Sequence, residues 1–188
     1  MDTLVETAKP LRADARRNRE RVLKAARAVF ADQGIEAQID DVAKRAKVGV
    51  GTVYRHFPTK DALVDAIVRE RFEEIAGYAR EALEREDAWE AFCELAWRSA
   101  ERNAGDRAFN EILAGTDQSH IVEQVGLAAS MSELMERAKA QGRLRADADL
   151  LDVKIMMCGA GSVMGSMFDI PDVWRRYLTL MLDGLRAS

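Results

Sequence analysis

Two short amphipathic segments, separated by a break of three residues, constrain the fold of this chain more than any other feature of its sequence. The first, IDDVAKRA, has one apolar face, formed by Ile39, Val42, Ala43 and Ala46. In the second, VGTVYRHF, Val50, Val53 and Phe57 share a face, and Pro58 ends the helix. Residues 47–49 leave room only for a sharp turn, so the pair predicts a helix-turn-helix.

A longer amphipathic stretch precedes this pair and completes a three-helix unit. Val22, Ala26, Val29 and Phe30 recur at helical spacing, and Gly34 follows them as a C-cap glycine does. The first turns of this helix carry four arginines, which are Arg16, Arg17, Arg19 and Arg21. Cations near a helix N-terminus oppose the helix dipole, and nearby phosphates would remove that conflict. Simple solvation of the arginines is the alternative interpretation.

Charge is distributed unevenly along the chain. Residues 1–60 contain 13 Lys and Arg against 8 Asp and Glu, whereas residues 61–188 contain 15 against 24, so the formal net charge of −4 conceals a basic head on an acidic body. This asymmetry is typical of a nucleic-acid-binding module joined to a part with another role, although solvated helix faces would explain it equally well.

The region around the helix-turn-helix has a specific sequence likeness. The stretch GIEAQIDDVAKRAKVGVGTVYRHFPTKDAL resembles the DNA-binding head of TetR/AcrR-family transcriptional regulators, and the likeness extends over residues 16–63. It rests above all on Tyr54, His56, Phe57, Lys60 and Leu63. The resemblance implies a sequence-specific, ligand-responsive homodimeric repressor that binds an inverted-repeat operator in double-stranded DNA.

Residues at the tip of this head have the chemistry for that task. The resemblance implies, and the side-chain donors support, phosphate contacts by Thr52, Tyr54, His56 and Lys60. Small or apolar groups can meet the thymine methyl, and Arg suits guanine O6 and N7. Base contacts are therefore expected from Val50, Gly51, Thr52 and Arg55.

Two residues depart from the usual pattern of the family. Lys47 stands where the turn between the helices commonly has Gly, so a left-handed backbone there costs about 1 kcal/mol, or the turn differs slightly. A phosphate contact is the role considered for Lys47. Gly49 stands where Ser or Thr commonly caps the recognition helix, and Gly lacks their hydroxyl group.

The rest of the chain predicts further amphipathic helices and, with the head, an all-α fold of about nine helices. Thr59 caps a fourth helix that continues to about residue 85, and Asp87 with Glu90 caps a fifth. The others are expected at about 106–114, 118–141, 147–168 and 172–186. We divide the chain into a polar tail (1–14), a helix-turn-helix DNA-binding domain (15–61) and a helical effector-binding and dimerisation domain (62–188). The last has a weaker likeness to the SbtR-like branch of the family, in GRLRADAD and LDGLRA.

An effector pocket is expected among the apolar residues of this body. Aromatic side chains give broad contact area, and Met repacks easily around a ligand. The candidates are Trp89, Phe92, Trp97, Phe109, Met131, Met135, Met156, Met157 and Met164. Packing into an ordinary core is the alternative for each of them. The resemblance is the main reason to expect an effector, which we take to be a small apolar molecule.

The last two helices are expected to form a dimer interface. The resemblance implies that they pair with the same helices of a second copy, and small residues on the first of them would allow a close approach. The candidates are Gly161, Gly165, Phe168, Trp174, Tyr177, Leu178 and Met181, with Val173 and Leu185. The alternative is that this face belongs to the core of a single chain.

Other functions find little support in the sequence. No nucleophile, acid–base or metal-ligand pattern is recognisable, GVG at 49–51 lacks the surroundings of a phosphate-binding loop, and His120 stands alone. We therefore expect no enzyme, no metal and no cofactor. Cys93 and Cys158 are expected as core residues of a cytoplasmic protein without a membrane segment. An activator, a regulator that answers to a protein partner, and a small-molecule carrier with an incidental basic head remain open.

Overall fold

The computed structural model describes residues 8–104, 106–165 and 172–187, and these residues form ten α-helices joined by turns. The first three are α1 (Ala8–Gln33), α2 (Ile39–Ala46) and α3 (Val50–His56). The others are α4 (Lys60–Leu83), α5 (Ala88–Ala104), α6 (Arg107–Gly115), α7 (Ser119–Gln124), α8 (Leu127–Ala140), α9 (Leu150–Gly165) and α10 (Val173–Leu185). No β-strand occurs among the described residues, so the all-α prediction is confirmed.

Helices α1, α2 and α3 pack together into the predicted three-helix head. Their apolar faces are buried, and Val22 and Val53 are fully enclosed. Between α2 and α3, Lys47 adopts a left-handed backbone (φ 55°, ψ 45°), and its N–H donates to the carbonyls of Ala43 and Lys44. The turn therefore keeps the geometry that Gly usually provides, at a cost of about 1 kcal/mol for a residue with a side chain.

Helix α1 begins earlier than the sequence analysis predicted. It starts at Ala8, inside the segment assigned to the tail (1–14), because Ala and Arg favour a helix. Pro10 lies in its first turn, where the missing N–H costs no helical hydrogen bond. The other end agrees with the prediction, since Gly34 follows the last helical residue with φ 79° and donates to the Phe30 carbonyl (2.9 Å).

Helix α4 joins the head to the rest of the chain. The Thr59 hydroxyl caps its N-terminus by accepting a hydrogen bond from the Ala62 N–H (3.0 Å), as predicted. Its far end is held by Arg137 of α8, which donates to the carbonyls of Leu83 and Arg85 (both 2.5 Å). Between these ends α4 packs against α5, α6, α7 and α8, so a single helix extends from the head through the body.

The helix predicted at 118–141 is in fact two helices. Helices α7 and α8 are separated at Val125 and Gly126, and Gly126 has a left-handed backbone with φ 74°. The described residues therefore hold ten helices, where about nine were predicted for the whole chain. The apolar spacing continues across the break, so the low helix propensity of Gly126 was the only sequence signal for it.

Replacing Gly126 with Ala is expected to destabilise the protein by about 1 kcal/mol, because a Cβ atom disfavours the left-handed backbone. Gly77 is the matched control, since it lies inside α4 and its Cβ position meets only the end of the Arg80 side chain at 3.9 Å. Gly77→Ala is expected to stabilise by about 0.5–1 kcal/mol. Thermal unfolding followed by circular dichroism measures both, and a gain in stability from Gly126→Ala would contradict a helix break at this residue.

Candidate functional site

The outward face of α3 carries most of the side chains proposed from the sequence for DNA contact. Val53 and Phe57 are buried and hold the opposite face of the helix against the head. Tyr54 is 47% exposed, which is unusual for a large ring. The exposed or half-buried residues of this face are Gly51, Thr52, Tyr54, Arg55 and His56.

The cations around α3 have no acidic partner within the described residues. Lys47 and Arg55 are exposed and Lys60 is half-buried, and none of the three forms an ion pair there. The Tyr54 hydroxyl likewise has no hydrogen bond to a described residue. Lys60 is also the first residue of α4, where the helix dipole favours an anion. The surface therefore presents donors and positive charge that the chain itself does not neutralise.

Three neighbouring residues shape this surface without standing fully on it. Val50 is half-buried and packs against the core of the head. Gly49 caps α3 without a side-chain hydrogen bond, as its lack of a hydroxyl group predicted. The guanidinium of Arg19 on α1 lies over the Phe57 ring, 5.3 Å from its centre, and this packing was not anticipated from the sequence.

A cavity of about 370 Å³ opens in the body among helices α4 to α9. Its wall is mainly apolar, and the Phe72 ring of α4 meets the Phe109 ring of α6 edge-on, with ring centres 5.8 Å apart. The side chain of Met164 lies outside the described residues. The candidate pocket residues that the structure places on this wall are Phe92, Phe109, Met131, Met156 and Met157.

Three other candidate pocket residues do not line this cavity: two are buried in the core, and Trp97 is half-buried against it. Trp89 stacks on Phe92 with ring centres 5.8 Å apart. Trp97 projects from another side of α5 and packs against Trp174 of α10 (5.9 Å). Met135 of α8 is 2% exposed and contributes to the core. The structure therefore does not place these three residues on the wall of the cavity.

Two polar cavity residues were missed by the sequence analysis. Asn103 of α5 and Gln118 before α7 both line the cavity and are only 6% and 7% exposed. Asn103 continues the buried stripe of Phe92, Ala96 and Ser99, so a polar residue in an apolar stripe was the available signal. Gln118 lies in a turn, and its spacing carries no comparable signal.

Opposite charges lie at the mouth of the cavity. Lys154 Nζ is 3.8 Å from Asp117 Oδ1, and the two side chains are 62% and 76% exposed. The hydroxyl and the N–H of Ser119 both donate to Asp117, which holds the pKa of its carboxyl group below the usual value. The other described residues of the wall are uncharged, so the cavity is charged at its mouth and neutral further in.

A buried cation lies behind the cavity wall. Arg71 of α4 is 2% exposed, and it donates to Asp106 (2.5 Å) and to the Arg102 carbonyl (3.1 Å). Burial, followed by the charge of Arg102, lowers its pKa, and Asp106 and Glu74 oppose that shift. Its guanidinium lies 5.2 Å from the centre of the Phe109 ring. The cluster thus ties α4 to the start of α6 and to a ring on the cavity wall.

The residues of α10 proposed for a dimer interface are divided between core and surface. Trp174 and Leu178 are 5% and 0% exposed, so the structure places both side chains in the core of their own chain. Tyr177 is half-buried over Gly159 of α9, where a Cβ atom would overlap the Tyr177 hydroxyl group. Met181 is half-buried against the same core. Most of the apolar face of α10 therefore serves packing within one chain.

The small residues of α9 also serve packing within the chain. The Cβ position of Gly161 lies 3.4 Å from Oδ1 of Asn110, so Gly161 faces α6. Gly165 is the last residue of α9, and Phe168 lies outside the described residues. Both helices nevertheless carry large apolar side chains that are more than half exposed, namely Leu151 (59%), Ile155 (52%) and Leu180 (55%).

The cysteines and the lone histidine differ in their surroundings. Burial raises the pKa of the half-buried Cys93 thiol to about 11. Cys158 is exposed on α9, which corrects the expectation that both cysteines are core residues. His120 Nε2 lies 3.5 Å from the Asp65 carboxylate of α4.

The described ranges contain no group of three His, Cys, Asp or Glu side chains arranged to hold a metal ion. None of the described helices combines the length and the apolar character that a membrane span requires.

Two family models match the chain. Residues 22–67 match the model of bacterial regulatory proteins of the TetR family, and residues 84–187 match the C-terminal domain of SbtR-like transcriptional regulators. Between them the two models cover the second half of α1, helices α2 and α3, the start of α4 and helices α5 to α10, while the cavity residues Phe72 and Ile75 of α4 lie between the two matches.

Relatives and solved structures agree with these matches. The HTH-type transcriptional regulator SrpR of Pseudomonas putida is 30% identical over 152 residues, which are 76% of this chain and 71% of SrpR. A TetR regulator of Mycobacterium vanbaalenii is 36% identical with a TM-score of 0.58, over 95% of this chain and 100% of that one. SmeT, the repressor of the Stenotrophomonas maltophilia efflux pump SmeDEF, shares the fold at 22% identity with a TM-score of 0.68, over 90% of this chain and 91% of SmeT.

Proposed function

Because the chain belongs to the TetR family of bacterial DNA-binding transcriptional regulators, we propose that it is a homodimeric repressor that binds an inverted-repeat operator and releases it when a small effector occupies the cavity. The observation that carries this proposal is the set of cations and donors around α3 that have no partner among the described residues. We assign DNA binding to residues 15–61, and effector binding and dimerisation to residues 62–188. The protein acts on chromosomal DNA in the bacterial cytoplasm.

The proposed DNA interface is the outward face of α3 with its flanking lysines. Phosphate contacts position the head, and contacts to base edges in the major groove read the sequence. Phosphate contacts are assigned to Lys47, Thr52, Tyr54, His56 and Lys60. Base contacts are assigned to Val50, Gly51, Thr52 and Arg55.

The proposed dimer uses the apolar surface of α9 and α10. Three large apolar side chains among the described residues of these helices are more than half exposed in the single chain, and a second copy would remove them from water. Two α3 helices must then lie about one turn of DNA, or a simple multiple, apart to bind two half-sites together. A dimer bound at a promoter occludes the polymerase, and the structurally similar SmeT is a repressor.

The cavity and the DNA-binding head share helices, which supports a response to an effector. Phe72 and Ile75 of α4 line the cavity, and the same helix begins at Lys60. Helix α6 also lines the cavity and packs on α1, and the Cβ position of Gly115 at its end lies 3.7 Å from Ile35, which follows α1. An occupant that shifts α4 or α6 changes the spacing of the two heads. The difference between the effector's affinities for the DNA-bound and the released conformations determines how much operator is released.

Variants of the α3 surface test the proposed division between phosphate and base contacts. Tyr54→Phe and Lys60→Ala are each expected to weaken binding about tenfold or more on all duplexes, because each removes a donor to phosphate. Lys60→Ala should also reduce the slope of log affinity against log salt by about one. Thr52→Ala is expected to change the preferred base as well. The measurement is a titration against duplexes recovered by selection from random-sequence DNA.

Lys154→Ala, on the body helix α9, is the charge-matched control for Lys60→Ala and is expected to leave binding unchanged. Equal losses for Tyr54→Phe, Lys60→Ala and Thr52→Ala on every duplex would contradict the assigned roles. Affinity that modest salt abolishes, with no preferred sequence, would contradict operator binding itself.

A further inference from the structure

Among the described residues, the interior of the cavity carries no charged side chain that could pair with a charged ligand. Lys154 and Asp117 are the charged residues of the described wall, and both lie exposed at the mouth, paired with each other at 3.8 Å. Further in, Phe72, Phe92 and Met131 present apolar surface. Burying an unpaired charge costs far more free energy than burying a neutral group. A molecule that fills this cavity is therefore neutral and largely apolar.

Asn103 adds an unpaired acceptor to this apolar wall. Asn103 is only 6% exposed, and its buried Oδ1 has no hydrogen-bond partner among the described residues. Its backbone carbonyl is already occupied by the Asp106 N–H (2.9 Å) and by Nδ2 of Asn110 (3.0 Å). An unpaired buried acceptor destabilises the empty protein, and a donor from a ligand would remove that penalty.

Gln118 supplies a second unpaired acceptor, and its orientation is determined by its neighbours. The Thr116 hydroxyl donates to the Ile112 carbonyl (2.8 Å), so its oxygen is left to accept, and Gln118 Nε2 donates to it (2.6 Å). This chain of hydrogen bonds defines which end of the amide is the nitrogen. The Oε1 of Gln118 is buried and has no partner among the described residues.

From these two residues we infer that the effector is a neutral, largely apolar molecule with at least one O–H or N–H donor, and that Asn103 and Gln118 select it by accepting that hydrogen bond. The inference rests on the proposed function, in which the cavity is the effector site. A site with unpaired buried acceptors discriminates strongly against an analogue that lacks the donor, because that analogue leaves the acceptors unpaired.

A pair of probes that differ only in the donor tests this inference. A naphthol and the methyl ether of the same naphthol have the same rings, but the ether has no O–H and is more apolar. Isothermal titration calorimetry with the full chain is expected to show about tenfold tighter binding of the naphthol. In the double variant Asn103→Leu, Gln118→Met, which keeps the side-chain sizes, the ratio is expected to fall to about one or to reverse.

Met131→Leu is the matched control, because Met131 lines the same cavity without a strong acceptor, and the ratio should stay near tenfold. If circular dichroism shows that the double variant does not fold, the ratio of the two probe affinities is measured for Asn103→Leu and Gln118→Met separately. A loss of affinity that is common to both probes cancels in this ratio. Equal affinities in the unmodified protein, or a tenfold ratio that survives both substitutions, would overturn the inference. Failure of both probes to bind, with DNA binding intact, would overturn the cavity as an effector site and the inference with it.

Discussion

Replacing Arg71 with Met is expected to lower the free energy of unfolding by about 3 kcal/mol, because it breaks a buried ion pair. The guanidinium is 2% exposed, and its removal leaves the Asp106 carboxylate, 15% exposed, without its cation. The carbonyl of Arg102 loses its donor at the same time. The residual exposure of Asp106 places the effect at the lower end of the range for a broken buried pair.

Arg98→Met is the matched control for this prediction. Arg98 pairs with Glu81 at 3.0 Å, but the two side chains are 41% and 66% exposed. Exposed pairs contribute about 0–1 kcal/mol, since water screens them. Urea unfolding followed by circular dichroism compares the two variants. Equal losses of stability would contradict the view that the buried cluster, rather than charge pairing in general, holds α4 to the turn before α6.

Ile155→Glu is expected to give a monomer and to weaken binding to an inverted-repeat duplex at least a hundredfold. The side chain is 52% exposed in the single chain, and in the proposed dimer the substitution buries a carboxylate in an apolar interface. Without the second head, the high effective concentration that links two half-site contacts is lost, and this effect is about 10²–10⁴ in affinity. Sedimentation velocity and a DNA titration measure the two consequences separately.

Leu180→Glu on α10 is a second variant of the same surface. Gln124→Glu is the control, because Gln124 is exposed on α7, which packs on α4 and α8. Gln124→Glu is expected to leave both the dimer and the DNA affinity unchanged. A dimer that survives both Ile155→Glu and Leu180→Glu would show that the two copies meet elsewhere. A dimer lost with no loss of DNA affinity would contradict joint binding of two half-sites.

The head could be predicted closely because its determinants are local. Gly34 as a C-cap, Pro58 and the Thr59 cap mark helix ends in the sequence, and helices end or begin at these positions in the structure. The left-handed backbone at Lys47 could be predicted because the family pattern commonly has Gly at this position of the turn. Across Gly126 the only signal was the spacing of apolar residues, which continues without interruption. The break between α7 and α8 is visible only in the backbone of the structure.

The cavity and the apolar surface could be predicted less well because tertiary contacts decide them. Trp97 has the chemistry of a pocket residue, yet it packs on Trp174, a contact between helices far apart in the sequence. Leu178 fits a dimer face by its spacing, but its own chain covers it completely. Periodicity identifies a face that must be buried, and it does not say which neighbour buries that face.

The most direct test of operator binding by the α3 surface is the selection of genomic fragments by the purified protein at near-physiological salt, followed by sequencing. The variant Tyr54→Ala, Lys60→Ala is the control, because it removes two proposed phosphate contacts while the buried residues of α3 stay in place. We predict enrichment of an inverted repeat beside a promoter, with half-sites about one turn of DNA or a simple multiple apart. Fragments no more enriched than those of the control variant would contradict the claim that the α3 surface reads an operator.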